Sequence, residues 1–274
     1  MPDYKIVASD LDGTLLKNDR TISLENDLAI RDMNQRGVYF VPASGRTLAE
    51  IPEELKENPD VRYMICANGA LIYDKVTGES ITEYMSTALT GWVIGVMSRY
   101  EAIFVMRCGG KAYMDADRMG DEDFLYHHLS LGYRDYVRNM RILVKDLTGF
   151  AREAEQVEVI AGFFHDKEKM EECRRCLEEN GALQTASAGT YNLEAFSVKA
   201  GKGNALRRLA DMLGVEHEAT ISVGDSTNDR TMIEAAGMGL VMGNGFPEMK
   251  EMADEVICTN EEHAIDYILK HYIY

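Results

Sequence analysis

Ile6-Val7-Ala8-Ser9-Asp10-Leu11-Asp12-Gly13-Thr14 is the stretch whose reading decides the fold. A short apolar run stops abruptly at two acidic residues and a glycine. A run without alternation fits a strand covered on both faces, as in a parallel sheet. In an extended segment residues i and i+2 project to one side, so the Asp10 and Asp12 carboxylates are expected to face one site. Paired carboxylates permit division of labour: one ionised as nucleophile or metal ligand, its neighbour moving a proton. Gly13 would permit a tight reversal that opens backbone N–H groups to an anion. Two plainer readings compete, an acidic turn and a calcium loop. The calcium loop fails, because its pattern wants Asp or Asn where Thr14 stands and Glu where Thr21 stands.

The same habit recurs outward from this stretch. Val38-Tyr39-Phe40-Val41 runs into Pro42-Ala43-Ser44-Gly45-Arg46, Tyr63-Met64-Ile65-Cys66-Ala67 into Asn68-Gly69, and Ala219-Thr220-Ile221-Ser222-Val223 into Gly224-Asp225. Between them lie helical signals: Ser23 as an N-cap with Gly37 as the stop, then Ala205, Leu206, Leu209 and Leu213 at helical spacing before Gly214. Gly239 to Met242 and Glu255 to Cys258 add two short strands. Strands alternating with helices predict an α/β fold with a doubly wound, mainly parallel sheet. The segment 81–191 reads differently. Its strand-like runs, Ala102 to Met106 and Val157 to Ala161, lie between polar helical stretches and do not end in Asp-rich or Gly-rich loops. It is expected to be an α+β domain of 81–191 inserted into a core made of 1–80 and 192–274.

In open parallel sheets ligands bind outside the carboxyl ends of the strands, where four polar clusters collect here. Gly224-Asp225-Ser226-Thr227-Asn228-Asp229 is the second acidic loop. Asp225 could complete an oxygen set for Mg²⁺, Asp229 could support it, and Asn228 could donate to a phosphate oxygen. The loop also reads as an N-cap cluster opening a helix over 227–236, and both readings can hold. Ser44-Gly45-Arg46 offers a hydroxyl and N–H groups at a helix start, although in isolation it is a simple cap. Lys202 is a cation at a helix start, where the dipole disfavours positive charge; that misfit points to a job elsewhere, with Lys199 as its competitor. Cys173-Arg174-Arg175-Cys176 has no second pair and carries no metal expectation. His127-His128 lacks the spacing of two ligands on one helix face and reads as surface.

Composition narrows the class. The chain has 274 residues, 46% apolar, with 29 Lys and Arg against 46 Asp and Glu, a net charge of −17. That balance disfavours nucleic-acid backbone and anionic membrane as partners. A small anionic substrate is compatible, because a metal ion and one or two cations can set the local field. The start of the sequence lacks a secretory apolar region, and no run of about 18 apolar residues occurs. Five scattered cysteines read as free thiols, so a cytoplasmic protein is expected.

Taken together, these motifs resemble the haloacid dehalogenase-like phosphatases, in particular the Cof-type group with a class IIB cap. Ser9 to Leu15 is similar to that family's first motif, Ala43 to Arg46 to its second, Lys202 to Leu206 to its third, and Gly224 to Asp229 to its fourth. Asn68-Gly69-Ala70 and the tail from Met242 also fit. The resemblance implies hydrolysis of a small phosphomonoester, such as a sugar phosphate, through an aspartyl-phosphate. It implies Asp10 as nucleophile and Asp12 as acid and base. It implies Mg²⁺ on the Asp10 carboxylate, the Asp12 carbonyl and Asp225, with Thr14, Arg46 and Asp229 supporting. Leu11 N–H, Ser44, Gly45, Lys202 and Asn228 would hold the phosphoryl oxygens. A phosphotransferase or phosphomutase on the same scaffold stays open, as does a non-catalytic sensor, against which the Asp10–Asp12 pair speaks. No feature of the sequence specifies an oligomeric state.

Overall fold

The computed structural model describes residues 3–187 and 189–273; Met1, Pro2, Ala188 and Tyr274, which the expected domain ranges include, lie outside the described residues. The chain parts into two compact units. One comprises Met1–Gly45, Ile51–Ile81 and Gly201–Tyr274, the other Arg46–Glu50 and Thr82–Ala200.

The first unit is built on a five-stranded parallel sheet in the order Glu255–Val256, Met238–Val241, Thr220–Gly224, Ile6–Ser9, Tyr39–Pro42. Ile6–Ser9 pairs on one side with Tyr39–Pro42 and on the other with Thr220–Gly224, so the winding reverses at the first strand. The helix Lys202–Leu213 buries Ala205, Leu206, Leu209 and Ala210 against Ile6, Ala8, Val41 and Ile65. Each of its two buried leucines contributes roughly 1.5–3 kcal/mol relative to exposure. Ser23 caps the helix Leu24–Gln35 by accepting from Asn26 N–H, and Gly214 ends Lys202–Leu213 in a left-handed conformation, as the sequence predicts.

Tyr63–Cys66 meets the parallel sheet in the expected direction, through one parallel bridge from Ile65 to Ala43, and its full partner is the antiparallel strand Leu71–Asp74, which was not expected. The turn between them holds Ala67, Asn68 and Gly69 all at positive φ. The helix expected over 227–236 is also divided, into a 3₁₀ turn at Thr227–Asp229 and a helix at Arg230–Ala235.

The inserted unit carries a six-stranded sheet in the order Leu183–Ala186, Asn192–Ser197, Val157–Phe163, Ile103–Cys108, Lys111–Asp115, Ile142–Val144. All pairs are antiparallel except the last. The expected core boundary at 192 falls inside this sheet, because Asn192–Ser197 pairs with both Leu183–Ala186 and Val157–Phe163; the chain rejoins the first unit at Gly201. One face packs the helices Thr87–Met97, Leu147–Glu153 and Lys167–Glu178 around Val93, Met97, Met106, Ile160 and Phe164. His127 is not at the surface. It is buried, with its ring nitrogens at the Asp123 and Glu101 carbonyls, while His128 is exposed. Among the described residues no helix is long and apolar enough to cross a membrane.

Candidate active site

Strand pairing in the first unit brings the acidic loops together. Ser9 is in register with Val223 on one side and Pro42 on the other, so the residues that follow all leave at the same sheet edge. Main-chain hydrogen bonds then stitch the loops. Asp10 N–H donates to Val223 O at 3.0 Å, Ala43 N–H to Ser9 O at 2.8 Å and Ser44 N–H to Ile65 O at 2.9 Å. Asn68 N–H donates to Ser44 O at 3.0 Å, and Gly201 N–H to Asn68 O at 2.9 Å. The last bond fixes the start of the Lys202–Leu213 helix. Gly69 makes this approach possible: it has φ +85°, and a Cβ there would stand 2.2 Å from Gly201 O.

At this edge the Lys202 ammonium lies between two carboxylates, 2.6 Å from Asp10 Oδ1 and 2.6 Å from Asp229 Oδ1. All three side chains are buried, Lys202 completely. Asp229 Oδ2 accepts from Asp225 N–H at 3.0 Å and Ser226 N–H at 3.1 Å, which locks the second acidic loop. Thr14 Oγ1 donates to Asp225 Oδ1 at 3.4 Å. Gly13, at φ +83°, lets the first loop close on the second, since a Cβ there would stand 2.7 Å from Asp225 Oδ2. One oxygen from each of Asp10, Asp225 and Asp229 lies within 4.8 Å of the others.

Electrostatics follow from this crowding. Burial pushes the Asp10 carboxyl well above its ordinary range; Lys202 opposes that, and Asp229 and Asp225 reinforce it. Asp225 is pushed up to about 7 by burial and then by the Asp229 charge, with Lys202 opposing and Asp12 adding a smaller upward push. Lys202 loses charge stability to burial, but the two aspartates outweigh that and hold its proton well above the ordinary lysine range. Three carboxylates with one ammonium leave net negative charge in a poorly solvated place. A hard divalent cation would relieve it, and an all-oxygen donor set suits Mg²⁺.

The structure thus brings together Asp10, Asp225, Asp229, Lys202 and Thr14. Leu11 and Ser44 are buried at the same edge, Gly45 is half-buried beside Ser44, and half-buried Asn228 accepts from Ser226 Oγ at 2.7 Å. Asp12 differs from Asp10 in exposure, while its charge acts on Asp225 at the same site. The strand ends at Ser9, the chain turns, and Asp12 is exposed while Asp10 is buried. Arg46 belongs to the five residues that cluster with the inserted unit, and its Nη1 donates to Glu50 O at 3.4 Å. Lys199 is exposed, whereas Lys202 is the buried cation between Asp10 and Asp229. Two residues outside the expected set support the site. Asn68 forms the backbone relay, and Asn244 Nδ2 donates to Gly13 O at 2.8 Å while its Oδ1 accepts from Asn260 N–H at 2.9 Å. The Asn-Gly pair at 68–69 was the available signal for the first; Asn244 had none beyond its place in the tail.

The buried acidic cluster with its one lysine lies at the carboxyl edge of a parallel sheet, where ligands bind in such folds, and comparison with known proteins supplies the family. Residues 7–269 match the haloacid dehalogenase-like hydrolase family, and the chain belongs to it. It is 32% identical over 287 aligned residues to the phosphatase YwpJ of Bacillus subtilis, covering 97% of this chain and 99% of that protein. It is 28% identical over 276 aligned residues to the 5-amino-6-(5-phospho-D-ribitylamino)uracil phosphatase YcsE of the same organism, covering 99% and 96%. Among solved structures, a haloacid dehalogenase-like hydrolase from B. subtilis superposes with a TM-score of 0.85 at 29% identity, covering 98% of this chain and 100% of that one. The chain is a Cof-type phosphatase of this family, with an inserted cap in a mixed α/β fold.

Proposed function

We propose that this phosphatase hydrolyses a small phosphomonoester with Mg²⁺ through an aspartyl-phosphate on Asp10. The observation that carries the reading is the convergence of Asp10, Asp225 and Asp229 on one point with Lys202 bound to Asp10 Oδ1. Lys202 neutralises and orients one oxygen of Asp10, and the other attacks phosphorus. The P–O bond to the alcohol breaks as that oxygen takes a proton from the Asp12 carboxyl. Water, giving its proton to Asp12, then attacks the same phosphorus; inorganic phosphate leaves and the Asp10 carboxylate is restored. The exposure of Asp12 suits a group that meets both a departing alcohol and an arriving water.

The Asp10 carboxylate, the Asp12 carbonyl and Asp225 would hold the metal, with Asp229 fixing the loop by its bonds to Asp225 and Ser226 N–H. When bound, Mg²⁺ supplies positive charge against the phosphoryl oxygens and the crowded carboxylates. Leu11 N–H, Ser44, Gly45, Lys202 and Asn228 orient those oxygens. The inserted unit selects the leaving group, and a metabolite of the size handled by the ribitylaminouracil relative suits that role.

Phosphate release from p-nitrophenyl phosphate with Mg²⁺ tests the reading. Wild-type protein releases phosphate, and both Asp10→Asn and removal of Mg²⁺ by chelation reduce release to background with the fold intact by circular dichroism. Undiminished turnover in Asp10→Asn would overturn the assignment.

A further inference from the structure

Two arginines of the inserted unit end in a buried polar cluster that its own side chains leave incompletely satisfied. Arg107, on the strand Ile103–Cys108, donates from Nη2 to Glu194 Oε1 at 2.9 Å. Arg141, immediately after the helix Leu131–Met140, donates from Nη2 to Tyr133 Oη at 2.6 Å, and its Nε lies 3.5 Å from Glu50 Oε1 without hydrogen-bond alignment. The side chains are 11% and 6% exposed. Nε and Nη1 of both arginines are nevertheless buried without a hydrogen-bond partner. Buried donors are normally paired, because an unpaired one loses its water and gains nothing in return.

The neighbouring acids do not complete the cluster. Glu50 Oε2 is taken by Thr47 N–H and Oγ1, each at 3.0 Å, and Glu158 turns its Oε1 to Gly110 N–H at 2.8 Å. Arg46 adds a third cation through its bond to Glu50 O. Three guanidinium groups thus stand with the paired carboxylates Glu50 and Glu194 in a chain whose net charge is −17. Guanidinium N–H groups match the oxygens of carboxylate and phosphate, which accept two parallel bonds at once.

We propose that Arg107 and Arg141 form an oxyanion-binding site of the inserted unit, taking a carboxylate or phosphate through the donors now unpaired. The proposal goes beyond the phosphatase reading and does not depend on it, since the oxyanion is a small anion held within the inserted unit alone.

Calorimetric titration of malonate into the full chain without Mg²⁺ tests it. Wild-type protein is expected to give saturable heat, and Arg141→Gln to weaken that binding by about tenfold or more, the scale of charge-assisted hydrogen bonds. Arg141→Lys keeps the charge without the planar fork; it also weakens binding, and keeps the test open should the glutamine variant fail to fold. No saturable heat, or heat unchanged in both variants, overturns the proposal.

Discussion

Lys202 holds its ammonium 2.6 Å from an oxygen of Asp10 and 2.6 Å from one of Asp229, with no exposed surface. Taking an ammonium and two carboxylates out of water is costly, and the group is stable only because each partner compensates the others. Removing the cation alone leaves two buried carboxylates facing one another. Lys202→Ala is therefore expected to lose about 3–5 kcal/mol of stability, read as a lower urea midpoint at unchanged slope. Added Mg²⁺ should recover part of that loss, since it meets the same carboxylates. A variant as stable as wild type would show that Lys202 is not the counter-charge of the site. The lysine was legible in the sequence as a cation in the wrong place at a helix start. Its two partners were legible as strand-end aspartates, but the sharing of one ammonium between them depends on a fold that brings residues 10 and 229 together.

At the scale of elements, what the sequence conveyed best was where strands stop. Ser9, Pro42 and Val223 each precede a polar cluster, and strand register places those clusters at one edge. Strand partners were less legible. Tyr63–Cys66 reads as an all-apolar parallel strand and meets the sheet through a parallel bridge, yet its full ladder is an antiparallel hairpin with Leu71–Asp74, since burial on both faces does not specify which strand lies alongside. The Asn68-Gly69 pair carried the missing information, as residues that accept positive φ in a tight turn. The pairing of Asp10 with Asp12 was argued from strand alternation, but the strand ends one residue before Asp10, so the exposure of Asp12 beside a buried Asp10 was not legible.

The turn after Asp10 gives a paired prediction. Gly13→Ala meets both an unfavourable positive φ and the Asp225 carboxylate at 2.7 Å. Gly37→Ala has a comparable φ of +74° and nothing within 4 Å. The Gly37 variant should lose only the conformational term, about 1–2 kcal/mol, with turnover near wild type. The Gly13 variant should lose more stability and most of its turnover. Equal effects on phosphate release would show that the close approach of the two acidic loops is immaterial to catalysis.

Across the molecule, the two-unit organisation was visible as a change of texture after residue 80, but its far boundary was not. Asn192–Ser197 is buried throughout like the core strands although it carries Asn192, Glu194 and Ser197, and only its pairing assigns it to the inserted sheet. Burial of His127 was likewise hidden, because its ring is held by backbone carbonyls of Asp123 and Glu101 that no spacing rule names.

The acidic site also couples the stability of the whole chain to pH and metal. Asp225 is pushed up to about 7, chiefly by burial, from an ordinary value of 3.8. Through that window the native state holds more protons than the unfolded chain, so this carboxyl makes stability fall as pH rises. A divalent cation takes the proton's place. Scanning calorimetry should show a larger Mg²⁺-induced rise in Tm at about pH 8 than at about pH 5, where protons compete for the same oxygens. A rise that is equal or smaller at the higher pH would contradict this coupling.

The central claim is that Asp10 itself captures the phosphoryl group. Rapid acid quench during turnover of p-nitrophenyl phosphate, followed by mass spectrometry of the peptide bearing Asp10, tests it most directly; this ester's leaving group departs without a proton, so Asp12→Asn chiefly slows the second step. The account predicts a mass increase of one phosphoryl group on Asp10, lost on treatment with hydroxylamine. Phosphate release in a burst with no adduct, or an adduct on any other residue, would contradict it.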